Sequence, residues 1–205
     1  MQPPFLIPGQ RPVQLQGSAV ATFILRCFGW RVEFEGLPAL QGVVMVYPHT
    51  SNWDFVLGIL AKWAIGIPVK FWAKDSLFKP PVLGPWVRWV GGVPIDRKSS
   101  KGMVGDTVAQ IAEARKNEQF YWLAVAPEGT RSLTLGWRSG AYRVALDAGV
   151  PVGLAALDFG RKSVRFKTFV MPGGDPQADF ALFEQALGGP RGRRPEMAGP
   201  ITLRK

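Results

Sequence analysis

The chain has 205 residues, of which 47% are apolar and 20% charged, a composition that builds one sizeable core and excludes a chain disordered throughout. A single cysteine, Cys27, excludes an internal disulfide and fits a reducing compartment, and with one histidine there is no Cys/His set for a structural zinc. A formal charge of +10 asks for an acidic partner: nucleic acid, an anionic membrane surface or a phosphorylated substrate.

The N-terminus, MQPPFLIPGQ, lacks a basic segment followed by an apolar one, so no signal peptide is expected. No apolar run reaches the roughly 18 residues of a spanning helix. The nearest, Ser18 to Trp30 and Phe55 to Val69, are broken by Arg26 and Lys62. Apolar periodicity and breakers predict a helix over Leu15 to Phe28 and strands at Arg31 to Glu35 and Val43 to Tyr47. A helix from Trp53 to about Trp63 and a strand at Val69 to Ala73 follow. Val82 to Val90 fits helix or strand and is broken by Gly91 and Gly92. Next come a helix at Met103 to Arg115, a buried strand at Phe120 to Ala126 and a helix at Ser139 to Asp147. Strands at Val150 to Phe159 and Val164 to Val170 precede a last helix at Ala178 to Leu187.

Strands alternating with helices predict an α/β fold with a mostly parallel central sheet flanked by helices, after a short N-terminal helical segment. Residues 1–205 read as one domain. Within it, 1–30 form the N-terminal membrane-associating segment, 43–155 carry the motifs, and 172–205 are a tail rich in Gly, Pro and Arg. Beyond Gly188 this tail is either a disordered basic arm or a docking segment.

The charge is concentrated. Between Lys62 and Lys101 stand Lys62, Lys70, Lys74, Lys79, Arg88, Arg97, Lys98 and Lys101 against Asp75 and Asp96. Trp63, Phe71, Trp72, Phe78, Trp86 and Trp89 are interleaved with them. Such a mixture suits stacked bases or a membrane interface, or else a solvated basic face over an aromatic core.

The only histidine, His49, lies in YPHTSNWDF, five residues before Asp54. A strand ends before Pro48 and a helix begins after it, so His49 stands at the C-terminal mouth of a strand, where α/β sheets place ligands. On a continuous helix, residues five apart point about 140° away from each other, so the pair meets only across a turn. Ser51 supplies one as an N-cap, with Asp54 as the acidic member of a capping box. A purely structural reading, with Asp54 only capping a helix, is compatible with a second one. The cap also sets the carboxylate against the imidazole, fixing its tautomer and leaving the other nitrogen as a base.

Two further stretches, GGVPIDR (Gly91 to Arg97) and APEGTRS (Ala126 to Ser132), each put a glycine turn and an arginine after an apolar run. A guanidinium can hold two phosphate oxygens at once. In this order the three stretches resemble the conserved blocks of the glycerolipid acyltransferases, the lysophosphatidic acid acyltransferase family. His49 to Asp54 looks like the family's histidine-x4-aspartate box, GGVPIDR like its second block and PEGTRS like its third. Val150-Pro151-Val152 matches the fourth in part, without its second proline. Lys74 to Phe78 (KDSLF) and Trp137 to Gly140 (WRSG) look like segments flanking these blocks. The resemblance covers about Val43 to Leu154.

The resemblance implies acyl transfer from acyl-CoA or acyl-carrier protein to a hydroxyl of a lysophospholipid-type acceptor, in phospholipid synthesis. It makes His49 the general base and Asp54 its orienting partner. It gives Arg97, Glu128, Gly129, Thr130 and Arg131 to the acceptor's headgroup or the developing oxyanion. No metal or redox cofactor is expected. Peripheral attachment to an anionic membrane, on its cytoplasmic face, follows from the basic aromatic stretch. An acceptor without phosphate, or a basic membrane-binding protein without activity, is the alternative. A serine hydrolase lacks its Gly-x-Ser-x-Gly elbow, since Gly136 to Gly140 has the wrong spacing. A nucleic-acid partner lacks a recognition motif.

Overall fold

The computed structural model describes residues 2–9, 11–95 and 100–204, with the side chains of 100 and 101 excluded. The strands, in chain order, are β1 (Phe5–Leu6), β2 (Arg31–Phe34), β3 (Gln41–Tyr47), β4 (Lys70–Lys74), β5 (Gly92–Ile95), β6 (Tyr121–Val125), β7 (Val152–Asp158) and β8 (Ser163–Met171). The helices are α1 (Ala19–Cys27), α2 (Trp53–Ile65), α3 (Leu83–Trp89), α4 (Ser100–Lys116), α5 (Ser139–Ala148) and α6 (Pro176–Leu187). The described residues form one eight-stranded sheet in the order β1-β8-β7-β3-β6-β4-β5, with β2 pairing β8 as well. Pairing is parallel from β7 through β3, β6 and β4 to β5. It turns antiparallel where β8 meets β7 and β1. This is the expected α/β fold with a mostly parallel centre.

Side chains alternate along the central strands and split the core in two. Val43, Met45 and Tyr47 of β3 join Tyr121, Leu123, Val152 and Leu154 on one face, beneath α4, α5 and α6. Val44, Trp122, Ala155 and Phe166 point to the other face. There α2 docks through Leu57 and Ala61, and α1 packs on it through Leu25. β3 is covered on both faces, which is why it reads as an uninterrupted apolar run.

Several boundaries differ from the sequence expectation for local reasons. Leu15 to Ser18 stay extended because the Ser18 N–H donates to the Trp63 carbonyl, and the Ser18 hydroxyl then caps α1 by accepting from Ala21 N–H. Val82 to Val90 resolves as the helix α3. The supposed break at Gly91 and Gly92 opens a strand instead, and its Pro94 is tolerated because β5 lies at the sheet edge. β1 has only two residues, too few for a periodic signal. Asp96 and Arg97 lie outside the described residues. Among the described residues no helix is long and apolar enough to cross a membrane.

One close approach underlies the strand that carries His49. Gly42 of β3 stands opposite Trp122 of β6, and a Cβ there would come within 2.4 Å of the buried indole. Gly42→Ala is expected to destabilise the fold by about 1–3 kcal/mol through overpacking, read as a lower urea midpoint at unchanged m-value.

Candidate active site

The site grows from the C-terminal end of β3. Its parallel neighbours β6 and β7 end on the same side of the sheet, so the loop after β3 (48–52) meets the loop after β6 (126–138). The loops are joined by the His49 N–H, which donates to Glu128 Oε2 at 2.6 Å.

Within the first loop Asp54 is the organising acceptor. Its Oδ2 accepts the Thr50 N–H at 2.6 Å and the Ser51 N–H at 2.7 Å, and its Oδ1 accepts the Ser51 hydroxyl at 2.9 Å. The expected capping box is therefore only half present. α2 begins at Trp53 behind Asn52, and Ser51 is not its N-cap. The reason is competition: the Ser51 hydroxyl donates to an ionised carboxylate, a stronger contact than accepting an amide proton. The turn still brings imidazole and carboxylate together, with His49 Nδ1 3.4 Å from Asp54 Oδ2. That is long for a hydrogen bond. The Asp54 side chain is 1% exposed, whereas His49 keeps 23% of its side chain open. Burial pushes the Asp54 carboxyl upward, but His49 and the Ser51 hydrogen bonds outweigh it and hold the group below its ordinary 3.8.

The second loop differs from its expected role in two places. Glu128, assigned by resemblance to the acceptor, is 1% exposed and has both oxygens engaged. Oε2 takes the His49 amide, and Oε1 takes the Gly199 N–H at 2.8 Å. It positions the histidine loop. Burial raises its pKa, offset in part by those two amides and by His49, while the Asp54 charge adds to the rise. Gly129, at φ +69°, spends its N–H on the Ala126 carbonyl, so that amide is not free for an oxyanion. Thr130 Oγ1 accepts the Ser132 N–H at 3.3 Å, which leaves its own proton to donate. Arg131 is exposed and faces a concavity behind the His49 loop. Arg97, the remaining predicted site residue, lies outside the described residues.

His49 lines two neighbouring spaces, one apolar and one of mixed character. On one side an apolar cavity of about 220 Å3 runs between α2 and the sheet, past Ile59, Ile65, Phe71 and Phe166. Its ionisable wall residues are His49, Asp54 and Lys62. Lys62, counted above among the surface cations, turns inward to donate to the Val90 carbonyl, and burial lowers its pKa. On the other side lies a cleft bordered by Ile95, Gly129, Arg138, Ser139 and Arg143.

The C-terminal segment, which the sequence left as either a basic arm or a docking segment, docks on the loops of the site. Residues 191–204 cross the loops as an ordered strap. The Arg191 carbonyl accepts from Phe159, the Arg194 N–H donates to Thr50 Oγ1, and the Tyr47 hydroxyl donates to the Gly199 carbonyl. Trp137 exchanges backbone hydrogen bonds with Thr202 and Arg204. The available signal was Gly192, where a Cβ would meet Thr50 Oγ1 at 2.8 Å.

Because the pKa of Asp54 is depressed, the folded state binds that proton less tightly than the unfolded chain. Its stabilising contribution is complete well above pH 3.8 and is lost as pH falls through the lower folded value. Asp54→Asn should cost about 1–3 kcal/mol near neutrality. The gap between wild type and variant should close as denaturation is repeated at pH values from 5 downward.

Comparison with known proteins identifies the family of the chain. The acyltransferase family profile matches residues 30–153. A chloroplastic 1-acyl-sn-glycerol-3-phosphate acyltransferase of Brassica napus is 29% identical over 126 residues, 60% of this chain and 36% of that protein. Its counterpart in Arabidopsis thaliana is equally similar, with 35% of its length matched. The chain thus spans little more than a third of these relatives. The crystal structure of the 1-acyl-sn-glycerophosphate acyltransferase PlsC from Thermotoga maritima shares the fold. It matches at a TM-score of 0.53 and 20% identity, over 82% of this chain and 74% of that one. With the family profile covering more than half of its length, and β3, its loop and α2 all inside the match, this chain belongs to the acyltransferase family.

Proposed function

We propose that this protein transfers a fatty acyl chain from a thioester, acyl-CoA or acyl-carrier protein, to the free hydroxyl of a lysophospholipid, with 1-acylglycerol 3-phosphate as the acceptor. The observation that carries this reading is the position of His49. Its Nδ1 faces a buried carboxylate, and the residue lines both an apolar cavity and a cleft that carries Arg138, Ser139 and Arg143. Both plant relatives are 1-acyl-sn-glycerol-3-phosphate acyltransferases, which supports the acceptor.

In the proposed step, Nε2 of His49 removes the proton from the acceptor hydroxyl, and the oxygen attacks the thioester carbonyl. Asp54 holds the Nδ1 proton and stabilises the imidazolium as it forms. The tetrahedral intermediate then collapses, the carbon–sulfur bond breaks, and the thiolate leaves with the proton from Nε2. An ester and a thiol result, with no covalent enzyme intermediate. The step balances without metal or redox cofactor. The acyl chain occupies the apolar cavity, while Arg97, Arg131 and the Thr130 hydroxyl hold the phosphate. His49→Ala should abolish release of CoA thiol while circular dichroism shows the fold retained. Wild-type turnover in a folded His49→Ala preparation would end the general-base assignment. Arg97→Ala should raise KM for the phosphorylated acceptor about tenfold, the value of one charge-assisted contact, with KM for the donor unchanged.

The same reading includes peripheral attachment to an anionic membrane. α1 buries Ala21 and Leu25 against the fold and turns a second apolar face, Val20, Phe23 and Ile24, to solvent. Val82, Trp86 and Trp89 do the same on and beside α3, with Arg88 exposed among them. Rings at headgroup depth and cations worth about 1 kcal/mol each near an anionic surface suit this patch. Binding to anionic vesicles should weaken as salt shortens screening to about 3 Å at 1 M. Equal binding to neutral and anionic vesicles at every salt concentration would refute the electrostatic part.

A further inference from the structure

The concavity behind the His49 loop is lined by Thr50 to Trp53, by Arg131 and Ser132 from the second loop, and by Arg193, Arg194 and Met197 from the strap. Its wall includes Arg131, Arg193 and Arg194, all three exposed. Among the described residues none of these three arginines has an ion pair. Glu196 lies on the same strap but is not part of this wall.

Three uncompensated cations repel one another, so a fold gathers them only if something else fixes the chain around them. The strap is fixed on both sides of Arg193. The Arg191 carbonyl accepts the Phe159 N–H, and the Arg194 N–H donates to Thr50 Oγ1 at 3.3 Å. Further on, the Gly199 N–H is held by Glu128. Arg193 itself lies over the Trp53 ring, 5.4 Å from its centroid, which limits the directions its fork can take. Gly192 fits flat on Pro48 and Thr50, so the strap rests directly on the residues flanking His49. Arginines without ion pairs around a concave space, one of them held over an indole, suit a doubly charged anion.

We propose that Arg193 and Arg194 complete, with Arg131, the subsite for the phosphate monoester of the acceptor, so that the strap is a working part of the active site. The proposal rests on the acyl-transfer reading above and extends it to two residues outside the conserved blocks. Arg131 links the two: it belongs to the motif loop and faces the same concavity as the strap arginines.

The test varies Arg193 and Arg194 singly to Ala and to Lys, in protein whose circular dichroism and melting temperature match wild type. Each Ala variant should raise KM for 1-acylglycerol 3-phosphate about tenfold or more, with kcat and KM for the acyl donor within about twofold. Lys should restore only part of the loss, since an ammonium lacks the planar fork. Calorimetric titration with sn-glycerol 3-phosphate, against glycerol as control, reads the subsite without turnover, and its affinity should fall in both Ala variants. If wild type transfers nothing but glycerol 3-phosphate binding depends on Arg193 and Arg194, the subsite stands and the acyl-transfer reading fails. Unchanged KM and unchanged binding in both Ala variants overturn the proposal. So does an equal loss with 1-acylglycerol, which carries no phosphate, or a KM rise confined to the CoA donor.

Discussion

A carboxylate removed from water is costly unless donors replace its hydration, and Asp54 is almost wholly removed. Its donors are all local: the amides of Thr50 and Ser51, the Ser51 hydroxyl and the facing imidazole. Together these donors hold residues 49–54 in this turn, with the ring facing the carboxylate. Glu128 repeats the arrangement from the opposite side, with two amides meeting its oxygens, one of them from His49. The histidine loop is thus clamped between two buried acids. Their charges act on each other, and the Asp54 charge is among the causes that raise the pKa of Glu128.

The sheet explains why the clamp closes at this place. β3 lies between β6 and β7, parallel to both, so the loops leaving the three strands emerge at one end. Glu128 is three residues past the end of β6, and the strap crosses beside the end of β7, where Phe159 anchors it. Parallel pairing therefore does more than stabilise the centre. It converts residues far apart in sequence, 49, 128 and 199, into hydrogen-bonded neighbours.

This topology also separates what could be read from the sequence and what could not. Local signals were legible: the apolar run of β3, the helix starting near Trp53, and the fact that His49 and Asp54 meet only across a turn. The ordering of motif blocks was legible as well, because each is a short stretch at a strand end. The role of Glu128 was not, since a carboxylate in a Pro-Glu-Gly turn looks the same whether it faces ligand or backbone. Its burial depends on Gly199, seventy-one residues away. The strap was illegible for a similar reason. Gly, Pro and Arg in a terminal stretch give no periodicity, and its order comes from backbone contacts to Thr50, Phe159 and Trp137 rather than from its own pattern. β5 was hidden because a proline at a sheet edge looks like a breaker when the edge is not known.

The distribution of apolar and charged groups around His49 carries the last step of the synthesis. α1, α2 and α3 supply the exposed apolar patch, and α2 also walls the apolar cavity. Aromatic contacts bridge the two. Trp86 meets Phe55 at 6.1 Å between centroids, and Phe55 meets Phe71 at 5.5 Å, with both phenylalanines on the cavity wall. A hydrocarbon chain arriving from that patch therefore encounters apolar side chains as far as the imidazole. The arginines of the loop and strap stand beyond residues 50–53, away from the cavity wall. On the proposed reaction, an amphiphilic acceptor and an acyl donor would sort themselves by polarity alone. Chains would lie toward the apolar face and phosphate toward the strap, leaving the hydroxyl and the thioester carbon to meet at His49 on the cavity wall. The orientation then comes from transfer free energy and fixed charge acting in opposite directions, so His49 needs only to be held still, which the two buried carboxylates do.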